Sequence, residues 1–121
     1  DRISIEYEIE EGLNFSLPPL ALQTLVENAA KHGILQKEDG GKIKVEIKRE
    51  GAYFRIRVID NGVGIPEGEM ANIFSLDNKE QQSLGLKNVN QRLRKLYNQE
   101  LIIDSSPGEG TTVEFKIPVR D

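Results

Sequence analysis

The sequence predicts an α+β fold, a two-layer α/β sandwich whose mixed, mainly antiparallel sheet carries its helices on one face. Three observations predict it. Five segments show the two-residue apolar alternation of strands, and two show apolar residues at helical spacing. They occur in the order β-α-β-β-α-β-β, with a long polar stretch before the second helix. A tight turn joins the second and third strands as a hairpin, which makes their pairing antiparallel.

The first strand spans residues 2–9, with Ile3, Ile5, Tyr7 and Ile9 on one face. Pro18-Pro19 suits the opening turn of a helix, and Gly33 is its expected stop. Leu22, Leu25, Val26 and Ala29 form its apolar stripe. In the second strand Ile43, Val45 and Ile47 alternate with Lys and Glu, and Glu50-Gly51-Ala52 turns the chain into a third strand at 53–60. A short helix is expected near Glu67 to Ile73. The tract Asp77-Asn78-Lys79-Glu80-Gln81-Gln82-Ser83 has no apolar periodicity and is expected to be mobile. A helix resumes at about Gly85, with Leu86, Val89, Leu93 and Leu96 at core spacing. Two last strands, 100–105 and 110–117, are separated by Pro107-Gly108-Glu109-Gly110.

A chain of 121 residues supports one core, so residues 1–121 are read as one domain, expected to belong to something longer. Charged residues make up 30% and the net charge is −4 with no long run of either sign, which argues against a generic nucleic-acid surface. The chain has no cysteine, which excludes disulfides and thiolate metal sites. It has no signal-peptide pattern and no apolar stretch near the ~20 residues that span a bilayer.

The most informative join is Asp60-Asn61-Gly62-Val63-Gly64, directly after Phe54-Arg55-Ile56-Arg57-Val58. Asp60 shares the parity of Phe54, Ile56 and Val58, so its carboxylate points toward the core at the strand's end. An inward carboxylate is costly unless paired. Two readings stand. Asp60 is a turn residue before an Asn-Gly turn, or it faces a ligand that the glycines allow to approach the backbone.

The first helix has a polar stripe. At about 100° per residue, Lys31, Thr24, Asn28 and His32 fall in one sector beside the apolar stripe. Such a set suits a metal and phosphates. It equally suits a solvated helix face, with His32 favoured by the helix dipole. Gly85 in Ser83-Leu84-Gly85-Leu86 lies where a helix start would offer free N–H groups to phosphate, or it is a plain loop-to-helix join. Thr111 has the parity of Val113, Phe115 and Ile117, so its hydroxyl points inward and needs a partner. It either serves a purine's polar edge together with Asp60 or is a strand threonine chosen for β-propensity.

In this order and spacing the signals closely resemble the Bergerat ATP-binding fold of gyrase B, a heat-shock chaperone, mismatch-repair ATPases and sensor histidine kinases. Leu22-Gln23-Thr24-Leu25-Val26-Glu27-Asn28-Ala29-Ala30-Lys31-His32-Gly33 resembles the N box of LytS-type sensor histidine kinases. Gly85-Leu86-Lys87-Asn88-Val89-Asn90-Gln91-Arg92-Leu93 resembles that family's second glycine box.

The resemblance implies ATP and Mg²⁺ as cofactors, with a lid at about 61–85. It implies Asn28 as the Mg²⁺ ligand and, with Lys31 and His32, as the catalytic set near the phosphates. Asp60 would accept the adenine amine. Gly62 and Gly64, with the adjoining Ile65, would shape the adenine site. Gly85 and Leu86 would donate backbone N–H groups to the phosphates, and Thr111 would support the adenine contact.

Two departures matter. The family often has proline where this chain has Thr24. The ATP-hydrolysing members of the superfamily also place a glutamate base at that position, four residues before the asparagine, and a threonine cannot replace it. Glu27 is adjacent to Asn28 but about 100° round the helix. His32 is the single histidine of the chain and lies inside the N box, so the acceptor histidine is expected elsewhere.

The implied function is the ATP-binding catalytic domain of a two-component sensor histidine kinase that phosphorylates a histidine on a dimerisation domain. A response regulator is the implied partner. The full-length protein is expected to be a homodimer and the isolated domain a monomer. The localisation implied is a cytoplasmic domain of a membrane-anchored bacterial sensor. The alternatives are a serine kinase of the anti-sigma-factor type and a non-catalytic nucleotide-binding module on the same fold.

Overall fold

A computed structural model describes residues 3–10, 19–30, 40–65 and 81–119, and for residues 19–21 and 81–85 the backbone alone. The elements are β1 (Ile3–Ile9), α1 (Pro19–Asn28), β2 (Gly41–Glu50), β3 (Tyr53–Asp60), α2 (Gln81–Tyr97), β4 (Ile102–Ser106) and β5 (Gly110–Pro118). They form one five-stranded sheet in the order β1-β2-β3-β5-β4. β1 pairs parallel with β2, and every other pair is antiparallel. The expected α+β class, strand count and hairpin are all present.

Strand alternation builds the core. Ile43, Val45, Ile47, Phe54, Ile56, Val58, Val113, Phe115 and Ile117 are buried on one sheet face. Leu25 of α1, Ala29 just after it, and Leu86, Val89 and Leu93 of α2 pack into the same cluster, so both helices lie on that face. The opposite face is a ladder of charges. Arg55 bonds Glu114 at 2.8 Å and Glu50 at 2.9 Å, and Arg57 spans Glu46 and Glu114 at 3.4 Å each. The hydrogen bond to Glu114, then that to Glu50, raises the Arg55 pKa above its already high ordinary value.

The α2 stripe differs from expectation at one position. Leu96 is half exposed, and Tyr97 packs against the core instead. At about 100° per residue, Tyr97 lies roughly 20° from the line of Leu86 and Leu96 roughly 80° off it. The helix then stops at Asn98, which has φ 55°. Asn98 N–H donates to Arg94 O at 3.0 Å, the bond of a left-handed helix cap, and Gln99 N–H adds a 3.3 Å bond to Leu93 O. Buried Asn90 then accepts Leu101 N–H at 2.8 Å, which sets the chain's path into β4.

One further expectation is corrected. α2 starts at Gln81, four residues before Gly85, so the end of the polar tract is helical. Gln and Leu are good helix formers, and one interior glycine costs only about 1 kcal/mol. The α-helical part of α1 ends at Asn28 and Ala29 and Ala30 continue it as a wider, π-type turn; the expected stop at Gly33 lies outside the described residues. The apolar side of β1 is not covered: Ile5, Tyr7 and Ile9 oppose Ile43, Val45 and Ile47 but are exposed, because β1 is the edge strand and the described helix residues cover β2, β3 and β5. An open groove of about 330 Å³ lies there, lined by Tyr7, Leu22, Gln23, Val26 and Glu27. The short helix expected near Glu67 to Ile73 lies outside the described residues.

Candidate functional site

Asp60 ends β3 on the core face, with 7% of its surface exposed. It belongs to one rung that crosses the whole sheet. Ile5 opposes Ile43, Ile43 opposes Asp60, Asp60 opposes Thr111, and Thr111 opposes Ser105. Directly paired residues share a face. The rung therefore begins apolar and ends with a carboxylate and two hydroxyls side by side.

Both readings of Asp60 find support in its contacts. Its Oδ1 accepts the Gly62 N–H at 2.8 Å, which is the turn role. That bond also orients the carboxylate at the margin of the core. Asn61 continues the β2–β3 pairing past the strand end. Its Oδ1 accepts Lys42 N–H at 2.8 Å, and its own N–H donates to Lys42 O at 3.3 Å.

The loop 61–65 is stitched to the β4–β5 hairpin. Gly108 N–H donates to Val63 O at 2.7 Å. Ile65 N–H donates to Ser105 Oγ at 2.8 Å. Gly64 has φ +78° and lies so close to the Ser106 carbonyl that a β-carbon would overlap it. A side chain at position 64 would therefore strain the backbone and displace the hairpin. Gly62 is buried.

The Thr111 hydroxyl has the partner that its inward parity demands. It lies 2.8 Å from Ser105 Oγ, which is also 3.0 Å from Gly110 O. Ser105 is the site residue that the sequence reading missed. In β4, Ile103 and Ser105 are less exposed than their neighbours Ile102, Asp104 and Ser106, and parity in that strand would have pointed to its hydroxyl.

Asn28 sits half-buried as the last residue of α1. Its Nδ2 is fully buried with no hydrogen-bond partner. A buried orphan donor of this kind costs about 1–3 kcal/mol and calls for an explanation. Thr24, one turn earlier, is also half-buried, as the polar stripe at the core margin requires. Glu27 is exposed and accepts a 3.0 Å hydrogen bond from Gln23 Nε2. Lys31 and His32 lie outside the described residues. Gly85 is the fifth residue of α2, and Leu86 buries its side chain in the core.

Asp60, Gly62, Gly64, Ile65 and Thr111 are thus brought together by the loop and hairpin. Asn28 and Leu86 lie on the two helices, which pack on each other over the same sheet face. Among the described residues no three His, Cys, Asp or Glu side chains form a metal cluster. Mg²⁺ does not require one, since it keeps waters and binds through one or two protein oxygens plus substrate phosphates. A lone carboxamide at a core margin fits that use through its oxygen, while its buried Nδ2 is a donor and takes no part in holding a cation.

The family described as Histidine kinase-, DNA gyrase B-, and HSP90-like ATPase matches residues 18–121. The chain is 42% identical over 122 residues to the protein YwpD of Bacillus subtilis (strain 168), covering all of this chain and 43% of that one. It is 36% identical over 124 residues to Sensor protein LytS of the same organism, covering 98% of this chain and 21% of that one. It therefore spans less than half the length of these relatives. The catalytic domain of histidine kinase ThkA superposes with a TM-score of 0.74 at 22% identity, over 97% of this chain and 79% of that one, which shows a shared fold. On its sequence match and its fold, the chain belongs to the histidine kinase-, DNA gyrase B-, and HSP90-like ATPase family.

Proposed function

We propose that this chain is the ATP-binding catalytic domain of a LytS-type sensor histidine kinase. The observation that carries the reading is the inward Asp60 in register with Thr111, beside a backbone cradle where Gly64 and Gly110 admit no side chain. A carboxylate there accepts the adenine amine, and guanine, which presents a carbonyl at that position, is disfavoured. Gly62, Gly64 and Ile65 form the wall against the base. The Asn28 side-chain oxygen holds Mg²⁺. Lys31 and His32, three and four residues after Asn28 in the sequence, are the phosphate-side residues that the N-box resemblance implies, with Gly85 and Leu86 supplying amides. Because Gly85 lies inside α2, that last contact requires the first turn of the helix to open. Mg²⁺, when bound, would supply charge neutralisation at the phosphates.

The nucleophile is a histidine nitrogen on a dimerisation domain outside this chain. Its lone pair bonds to the γ-phosphorus as the bond to the ADP oxygen breaks, so phosphohistidine and ADP are formed. Glu27 is exposed, bonded to Gln23 and about 100° round the helix from Asn28, and Thr24 is no base. Both facts favour an imidazole acceptor over water or a serine hydroxyl. The whole protein would be a homodimeric, membrane-anchored bacterial sensor with this domain in the cytoplasm and a response regulator downstream. The described residues include no helix long and apolar enough to cross a membrane, so the anchor would lie elsewhere.

The test is phosphotransfer from γ-labelled ATP to an added LytS-type acceptor domain. An acid-labile label on the acceptor supports the reading. An acid-stable label indicates a serine kinase, and binding without transfer to a competent acceptor indicates a nucleotide-binding module.

A further inference from the structure

Ser105 Oγ is a three-way junction. It accepts the Ile65 N–H at 2.8 Å, lies 3.0 Å from the Gly110 carbonyl, and lies 2.8 Å from Thr111 Oγ1. A serine hydroxyl has one hydrogen and two lone pairs. The Ile65 N–H occupies one lone pair. The Gly110 carbonyl only accepts, so full use of the three contacts has one solution: Ser105 donates to Gly110, and Thr111 donates to Ser105. In that state Thr111 turns its lone pairs toward the site.

A second state exists. If a ligand nitrogen takes the Thr111 hydrogen, directly or through a water, the Ser105 hydrogen can swing from Gly110 to Thr111 Oγ1. One contact is exchanged for another of similar strength, and Thr111 becomes a donor without being left unpaired. Ser105 thus lets one threonine serve either polarity. Because the same oxygen holds the Ile65 N–H, this exchange is mechanically tied to the segment that leaves the glycine loop.

We propose that Ser105 is a positioning residue for base recognition, acting through the Thr111 hydroxyl and the Ile65 amide. The proposal rests on the nucleotide-site reading above and names a residue that reading did not contain. Ser105 does not touch the base. It sets which way Thr111 can hydrogen-bond and where the 61–65 loop stands.

Calorimetric titration with Mg-ATP and Mg-GTP tests it on wild type, Ser105→Ala, Ser105→Thr, Thr111→Val and the double variant. Ser105→Ala is expected to weaken ATP binding about three- to tenfold and to lower the ATP-to-GTP affinity ratio. Ser105→Thr keeps the hydroxyl and should restore the ratio. In the Thr111→Val background the further loss of ATP affinity from Ser105→Ala should shrink, because the two residues act as one unit. Urea unfolding of each variant reports folding separately. An unchanged ATP-to-GTP ratio in Ser105→Ala, or equal proportional losses for both nucleotides, or full additivity with Thr111→Val, overturns the Ser105 proposal. If wild type itself fails to prefer ATP, the nucleotide-site reading falls instead.

Discussion

Gly110 rests against Asp60 so closely that a β-carbon on the glycine would overlap the Asp60 carbonyl oxygen. The first residue of β5 therefore fixes the height of the carboxylate that closes β3. Gly108, two residues earlier in the same hairpin, is also in the left-handed region at φ +82° but has open space around it. Gly108→Ala should cost about 1–2 kcal/mol from backbone conformation alone. Gly110→Ala adds the displacement of Asp60 and should cost about 3 kcal/mol or more. Urea unfolding of both variants checks this, and equal losses would show that the close approach is not enforced.

The proposed function gives Asp60 a second job beside its bond to Gly62, and substitutions can separate the two. Asp60→Asn keeps an oxygen for the Gly62 N–H but offers an amide donor in place of the second carboxylate oxygen. Its stability should stay within about 1 kcal/mol of wild type, while its preference for ATP over GTP falls. Asp60→Ala loses both roles and should weaken ATP binding by about 1–3 kcal/mol as well as destabilise the loop. Thermal unfolding read alongside nucleotide titration separates the two effects.

The orphan amide of Asn28 makes its removal informative. Asn28→Ala should leave stability unchanged or slightly improved, because a buried donor without a partner disappears. Nucleotide affinity with Mg²⁺ should fall toward the value measured with a chelator. A variant that keeps the wild-type ratio of affinities with and without Mg²⁺ would remove Asn28 from the metal site.

Placing Gly85 inside α2 leads to a prediction about dynamics. Terminal helix turns open with little free energy, so the amides of Gly85 and Leu86 should exchange quickly in the free protein. With an ATP analogue and Mg²⁺ their hydrogen exchange should slow, and with ADP it should slow less. Exchange that is already slow without nucleotide, or identical in both complexes, would mean that these amides do not hold the terminal phosphate.

Much of this was readable from periodicity. The parity of Phe54, Ile56 and Val58 carried Asp60 inward, and that of Val113, Phe115 and Ile117 carried Thr111 inward. The structure places both as expected and adds that they oppose each other. Pairing between strands that are distant in sequence is what parity alone does not reveal. The junction at Ser105 was missed for that reason, since its role depends on β4 lying beside β5 and on a loop forty residues earlier. The β1 alternation reported a shared face, but not whether anything covers it, and Ile5, Tyr7 and Ile9 are exposed. The α2 start was misplaced because a polar tract without an apolar stripe can still be helical when its residues have the propensity.

The central claim is that the Asp60 rung reads adenine in a Mg²⁺-dependent nucleotide site. The most direct measurement is isothermal titration of this chain with ATP and GTP, each with Mg²⁺ and with a chelator. The account predicts that ATP binds more tightly than GTP by about tenfold or more, and that Mg²⁺ strengthens ATP binding. Equal affinity for the two nucleotides, or no binding of either, would contradict it.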